Sequence, residues 1–146
     1  MKNRFSFFLW GLIIFQLLTA LFHSLSFVMK PKAENETEKQ LIDLVYSYHK
    51  DYGMGFHPSM GNLFLALSTC FTFICLLGGI SNIYFKNKRM GMNLWSGWLL
   101  IQTLIFGAIF LVMLAFTFIY PVVLSGLVFL FALLTWLSSR KHISQP

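Results

Sequence analysis

Polar and apolar positions along this chain fall into long blocks, with neither the period of a half-buried strand nor that of a water-facing helix. No Asp, Glu, Lys or Arg occurs from Phe5 to Met29, from Tyr52 to Phe85, or from Met90 to Ser139, runs of 25, 34 and 50 residues. A helix that crosses a bilayer needs about 20 predominantly apolar residues. The first run therefore predicts one span over about 5–26. Lys2 and Arg4 before it and Ser24-Leu25-Ser26 after it would also suit a secretory signal. Its uncharged core from Phe5 to Phe22 is longer than the about 7–15 residues of a signal h-region and carries Trp10 and Gln16, so a retained helix is expected.

The second run opens with Gly53, Gly55 and Pro58, poor residues for a helix interior, and predicts a span over about 58–85 with Pro58 in the first turn. Fifty residues as a single helix would reach about 75 Å against a hydrocarbon core of about 30 Å. The third run must therefore break. Pro121 marks the place, because proline lacks a backbone donor and disfavours helix at the residue before it. Two spans, about 92–119 and 121–138, follow.

Between the first two spans lies the one sizeable polar segment, 30–57. Thr37 and Gln40 have capping-box spacing, and Leu41, Leu44, Val45, Tyr48 and Tyr52 recur at helical spacing beyond them. A short amphipathic helix is expected, its apolar face capping the outer end of the bundle. Its mixed charge gives little attraction to anionic lipid. Gly53 and Gly55 supply the backbone freedom for the turn into the second span. The fold class is thus all-α: a four-transmembrane-helix bundle, one membrane domain over 1–146, with a short extracytoplasmic amphipathic helix between spans 1 and 2.

Composition agrees: 57% of residues are apolar, 18% aromatic and 11% charged, where a soluble domain carries about 25% charged residues. Nucleic-acid binding, a soluble enzyme fold and intrinsic disorder are excluded. The net charge of +6 reflects distribution and not a polyanionic partner: all five acids, Glu34, Glu36, Glu38, Asp43 and Asp51, lie in the 30–57 connection. With the N-terminus inside, seven basic residues (Lys2, Arg4, Lys86, Lys88, Arg89, Arg140, Lys141) are cytoplasmic and four (Lys30, Lys32, Lys39, Lys50) are outside, which favours cytoplasmic termini. Trp10, Trp95, Trp98 and Trp136 then fall in the inner halves of their helices, as in an aromatic belt. Asn35-Glu36-Thr37 is a glycosylation sequon, meaningful only in a eukaryotic source.

Candidate chemistry is sparse. No carboxylate lies in a span, which removes the usual intramembrane proton relay, the paired-aspartate protease and HExxH; no GxSxG, P-loop or GxGxxG is present. Cys70 and Cys75, five apart on one helix, suit neither a disulfide nor a CxxC site and are expected to be buried small hydrophobes. Polar stripes do stand out. Gln16, Thr19 and His23 share a face of the first span, as do Asn62, Thr69 and Thr72 on the second, and Ser125, Ala132 and Thr135 on the fourth. Their first reading is interhelical packing. Opposite directions of travel bring His23 to the level of His57 and Asn62, so Gln16, His23, His57 and Asn62 are the candidate ligand-binding residues, bordering a polar cavity that opens outward. Axial haem or a transition metal on His23 and His57 is the alternative.

Phe22-His23-Ser24, the charged connection and Gly55-Phe56-His57-Pro58-Ser59-Met60-Gly61-Asn62 resemble a family of small, uncharacterised four-helix bacterial membrane proteins, over about the first 85 residues. That resemblance implies a bundle with an outward cap, in the bacterial cytoplasmic membrane, and no known activity. The function expected is a non-catalytic scaffold, accessory subunit or binder of a lipid-like ligand, with membrane lipids and other membrane proteins as partners. The alternative is a membrane-embedded redox or ligand-converting enzyme that uses the outer histidines.

Overall fold

The computed structural model describes residues 2–25, 27–29 and 31–143. Ser26, where the first span was expected to end, and Lys30, the start of the expected outer connection, lie outside the described residues. The protein is all-helical: α1 (Lys2–Leu25), α2 (Glu36–Ser47), α3 (Met60–Asn87), α4 (Met92–Phe116) and α5 (Ile119–Ile143). Four of these, α1, α3, α4 and α5, are long and apolar enough to cross a membrane.

Boundaries shift where local chemistry overrides the apolar pattern. Pro58 precedes α3 instead of opening it. Ser59 caps the helix, its hydroxyl accepting from Asn62 N at 3.2 Å and its carbonyl from Leu63 N at 3.2 Å. At the other break, α4 ends at Phe116 with Thr117 extended, and Pro121 lies in the first turn of α5. A proline ring clashes with the carbonyl four residues back, here that of Thr117, whereas first-turn N–H groups have no helical partner to lose. The break therefore falls before the proline, and Tyr120 is helical.

The chain divides into two compact units, Met1–Thr19 with Cys75–Pro146 and Ala20–Ile74. The first contains a four-helix bundle. Phe5, Leu9, Leu12 and Ile13 of α1, Cys75 of α3, Trp95, Leu99 and Phe106 of α4, and Val128 and Ala132 of α5 are its buried apolar residues among those described. Small residues let the helices close up: a Cβ on Gly11 would run into the Phe131 ring. Outward positions such as Leu104, Leu111 and Leu114 are apolar and exposed, as lipid-facing residues must be.

The tryptophans divide between two roles. Trp95 is buried between Phe5 and Phe85, and Trp98 hydrogen-bonds into the core, so these two are not belt residues. Trp10 and Trp136 carry cations over their rings, Lys86 at 4.8 Å and Arg140 at 5.5 Å, as interfacial rings do.

In the second unit α2 begins earlier than expected. Asn35 is the N-cap, its side chain accepting from Glu38 N at 2.9 Å, while the Glu38 carboxylate accepts from Glu34 N at 2.6 Å. Asn caps better than Thr, so this register displaces the Thr37–Gln40 box. The helix stops at Ser47, leaving Tyr48 as C-cap and Tyr52 beyond it. The expected capping face is also rotated. Leu41, Leu44 and Tyr48 are more than half exposed, and no α2 residue is fully buried. Ile42 and Val45 are half-buried, and a Cβ on Gly61 would stand 2.5 Å from the Tyr46 ring.

Candidate ligand cavity and the buried amide cluster

Ser and Thr on the stripes bond within their own helices. Thr19 Oγ1 donates to the Phe15 carbonyl, Thr72 to Ser68, Thr135 to Phe131 and Ser125 to Pro121, all four residues back. Such short side chains satisfy themselves locally and cannot tie helices together. Amides reach further, and three of them meet in the first unit. Gln16 Nε2 of α1 donates to Gln102 Oε1 of α4 at 2.6 Å, and Asn82 Nδ2 of α3 donates to Gln16 Oε1 at 3.0 Å and to Gln102 Oε1 at 3.3 Å. Asn82 Oδ1 accepts from Gln102 Nε2 at 2.8 Å and from Trp98 Nε1 at 2.9 Å.

All three amides are buried, Gln16 and Asn82 completely. Gly78 makes room for them: a Cβ there would stand 2.5 Å from Gln16 Nε2 and 3.3 Å from Gln102 Oε1. Among the described residues no buried side-chain nitrogen or oxygen lacks a partner. A closed, uncharged network of this kind fixes helix register and offers no group to a ligand. Asn82, Gln102 and Trp98 are the members the stripe pattern did not find. The signal for them is simpler: an Asn or Gln deep in an uncharged run must find its partner on another helix.

The second unit holds a cavity of about 380 Å³. Phe27, Met29, Phe64 and Leu65 give it apolar walls, Gly61 a stretch of backbone against the Tyr46 ring, and Tyr46, Asn62 and Ser68 its polar groups. His23 stands behind one of these, its Nδ1 sharing a 3.2 Å hydrogen bond with Ser68 Oγ and its ring edge-on to Phe71. Of the four candidate residues, Asn62 lines the cavity and His23 adjoins it through Ser68. Gln16 belongs to the amide cluster.

His57 sits on the loop that leads into α3, its Nδ1 3.7 Å from Asp51 Oδ1 and its carbonyl accepting from His49 Nδ1 at 2.7 Å. An exposed pair at that distance contributes little to stability. Cys70 is exposed on α3, not buried as expected, whereas Cys75 is fully buried; both are free. Among the described residues no three His, Cys, Asp or Glu side chains are grouped to hold a metal ion. No family model, curated protein or solved structure matches this chain.

Proposed function

We propose that this is a four-span protein of the bacterial cytoplasmic membrane, with both termini cytoplasmic, whose outer unit binds an amphiphile with an apolar body and an uncharged polar end. The carrying observation is the lining of the cavity. Four apolar side chains face three neutral hydrogen-bonding groups, and no Asp, Glu, Lys, Arg or His is among the lining residues. A volume of about 380 Å³ lies in the range of small-molecule sites, about 300–1,000 Å³. A charged headgroup would find no counter-charge among these groups. The closed amide cluster supports a scaffold role for the helices of the other unit.

Native mass spectrometry of the protein released from its own membrane tests this reading. The expected result is a co-purifying neutral or weakly polar lipid that Leu65→Trp, which fills the cavity, removes. A wild-type protein free of adducts, or an adduct that survives Leu65→Trp, would contradict it.

One observation favours the second reading, a redox or ligand-converting enzyme with haem or a transition metal on His23 and His57. The Nδ1 of His23 is engaged by Ser68 at 3.2 Å, the kind of contact by which a ligating imidazole is oriented. A haem band in the visible spectrum of the gently purified protein decides for it.

A further inference from the structure

The loop between α2 and α3 concentrates two costs on one residue. Tyr52 N donates to the Phe56 carbonyl at 3.1 Å and Phe56 N to the Gly53 carbonyl at 3.1 Å, and His49 pairs with Ser59 in an isolated antiparallel bridge. The chain therefore reverses tightly over Tyr52-Gly53-Met54-Gly55-Phe56. Gly53 and Gly55 take φ of 81°, where glycine is at ease, but Met54 has φ of 55°. A left-handed backbone is unfavourable for such a side chain. The same methionine is 98% exposed, flanked by Phe56 at 68% and Tyr52 at 53%. Its side chain gains no burial among the described residues.

We propose that this tip, with Tyr52, Met54 and Phe56 at its apex, seats in the outer interface of the bilayer beside the start of α3. Three observations select lipid as the occupant. Met54 is six residues from Met60, the first residue of α3, a reach of at most about 21 Å. The 28 residues of α3 rise about 42 Å, some 12 Å beyond the hydrocarbon core. With Lys86 at its inner end, its first turns stand in the outer interfacial layer, to which the loop is joined.

The tip's own chemistry suits that layer. It is uncharged and aromatic, and interfacial belts favour Tyr for its apolar body and polar end. The flanking charges lie against the tip, where headgroups and water of the interfacial layer still solvate them. Asp51 Oδ1 accepts from Gly53 N at 2.7 Å, and Lys50 Nζ lies 5.4 Å from the Tyr52 ring centroid.

The test uses the full chain in phosphatidylcholine liposomes. On a Cys70→Ala, Cys75→Ala background, Met54→Cys carries a polarity-sensitive fluorophore, with Glu36→Cys as the water-exposed reference. The expected result is blue-shifted emission at position 54, quenched by a lipid spin-labelled near its headgroup and several-fold less by aqueous iodide than at position 36. Water-like emission quenched by iodide as strongly as at position 36 overturns the proposal. So does shielding from both quenchers, the signature of a protein partner. The wild-type protein supplies an independent reading: phosphatidylcholine with a diazirine near its carbonyl should leave adducts on the peptide containing Met54, and their absence also overturns the proposal.

Discussion

Asn82 joins three helices through four hydrogen bonds, to Gln16, twice to Gln102 and to Trp98. Asn82→Ala leaves Gln16 Oε1, Gln102 Nε2 and Trp98 Nε1 without that partner, while Gln16 Nε2 still donates to Gln102 Oε1. Interhelical bonds in membranes average only about 0.6 kcal/mol each, so a loss of about 1–3 kcal/mol is expected for the whole set, read by steric trapping in bilayers. Thr135→Val should cost less than about 0.5 kcal/mol in the same assay, because its hydroxyl bonds only a carbonyl of its own helix. Gly78→Ala should match Asn82→Ala, since the added carbon displaces Gln16 and overpacking costs about 1–3 kcal/mol.

At this scale the sequence was half legible. Helical spacing placed all three stripes inward: Gln16, Thr19, Thr72, Ser125, Ala132 and Thr135 are buried, but His23 and Thr69 are half-buried and Asn62 is exposed. Spacing within one helix says nothing about what lies opposite, so Asn82 and Gln102 went unpaired in it, and so did Ser68 as the partner of His23.

Elements were legible where a single cause decides them. Uncharged length set the four long helices, and Gly53 and Gly55 take the positive φ expected at the turn into α3. Competing local causes moved the ends: Asn35 outranked Thr37 as a cap, and the clash of Pro121 with the Thr117 carbonyl ended α4 early. The orientation of α2 was the larger miss, because its apolar arc is wider than the face that packs. Ile42 and Val45 take the half-buried flank and leave Leu41, Leu44 and Tyr48 open. Leu44→Asp and Tyr48→Asp should therefore leave thermal stability within about 0.5 kcal/mol, as surface changes do, while Val45→Asp costs more. Asn35→Ala should lower stability by about 1 kcal/mol through loss of the cap. Equal tolerance of Leu44→Asp and Val45→Asp would show that α2 does not pack on its own unit.

For the molecule as a whole, four helices are long and apolar enough to cross a membrane, and on the proposed topology both termini share one side while the 30–57 connection lies on the other. Distribution of charge is the basis on which the side is proposed. Seven basic residues fall on the terminal side and four in the connection, and excess Lys and Arg stay cytoplasmic. The cavity, the loop tip and α2 all belong to the unit that contains this connection, so its side decides which lipids they can meet. Labelling of single cysteines in intact cells with a membrane-impermeant maleimide measures this directly, on a chain with Cys70 and Cys75 replaced. Glu36→Cys should react from outside and Lys88→Cys only after the membrane is permeabilised. Reaction at position 88 from outside, with position 36 protected, would contradict an outward-facing cavity and place it in the cytoplasmic leaflet.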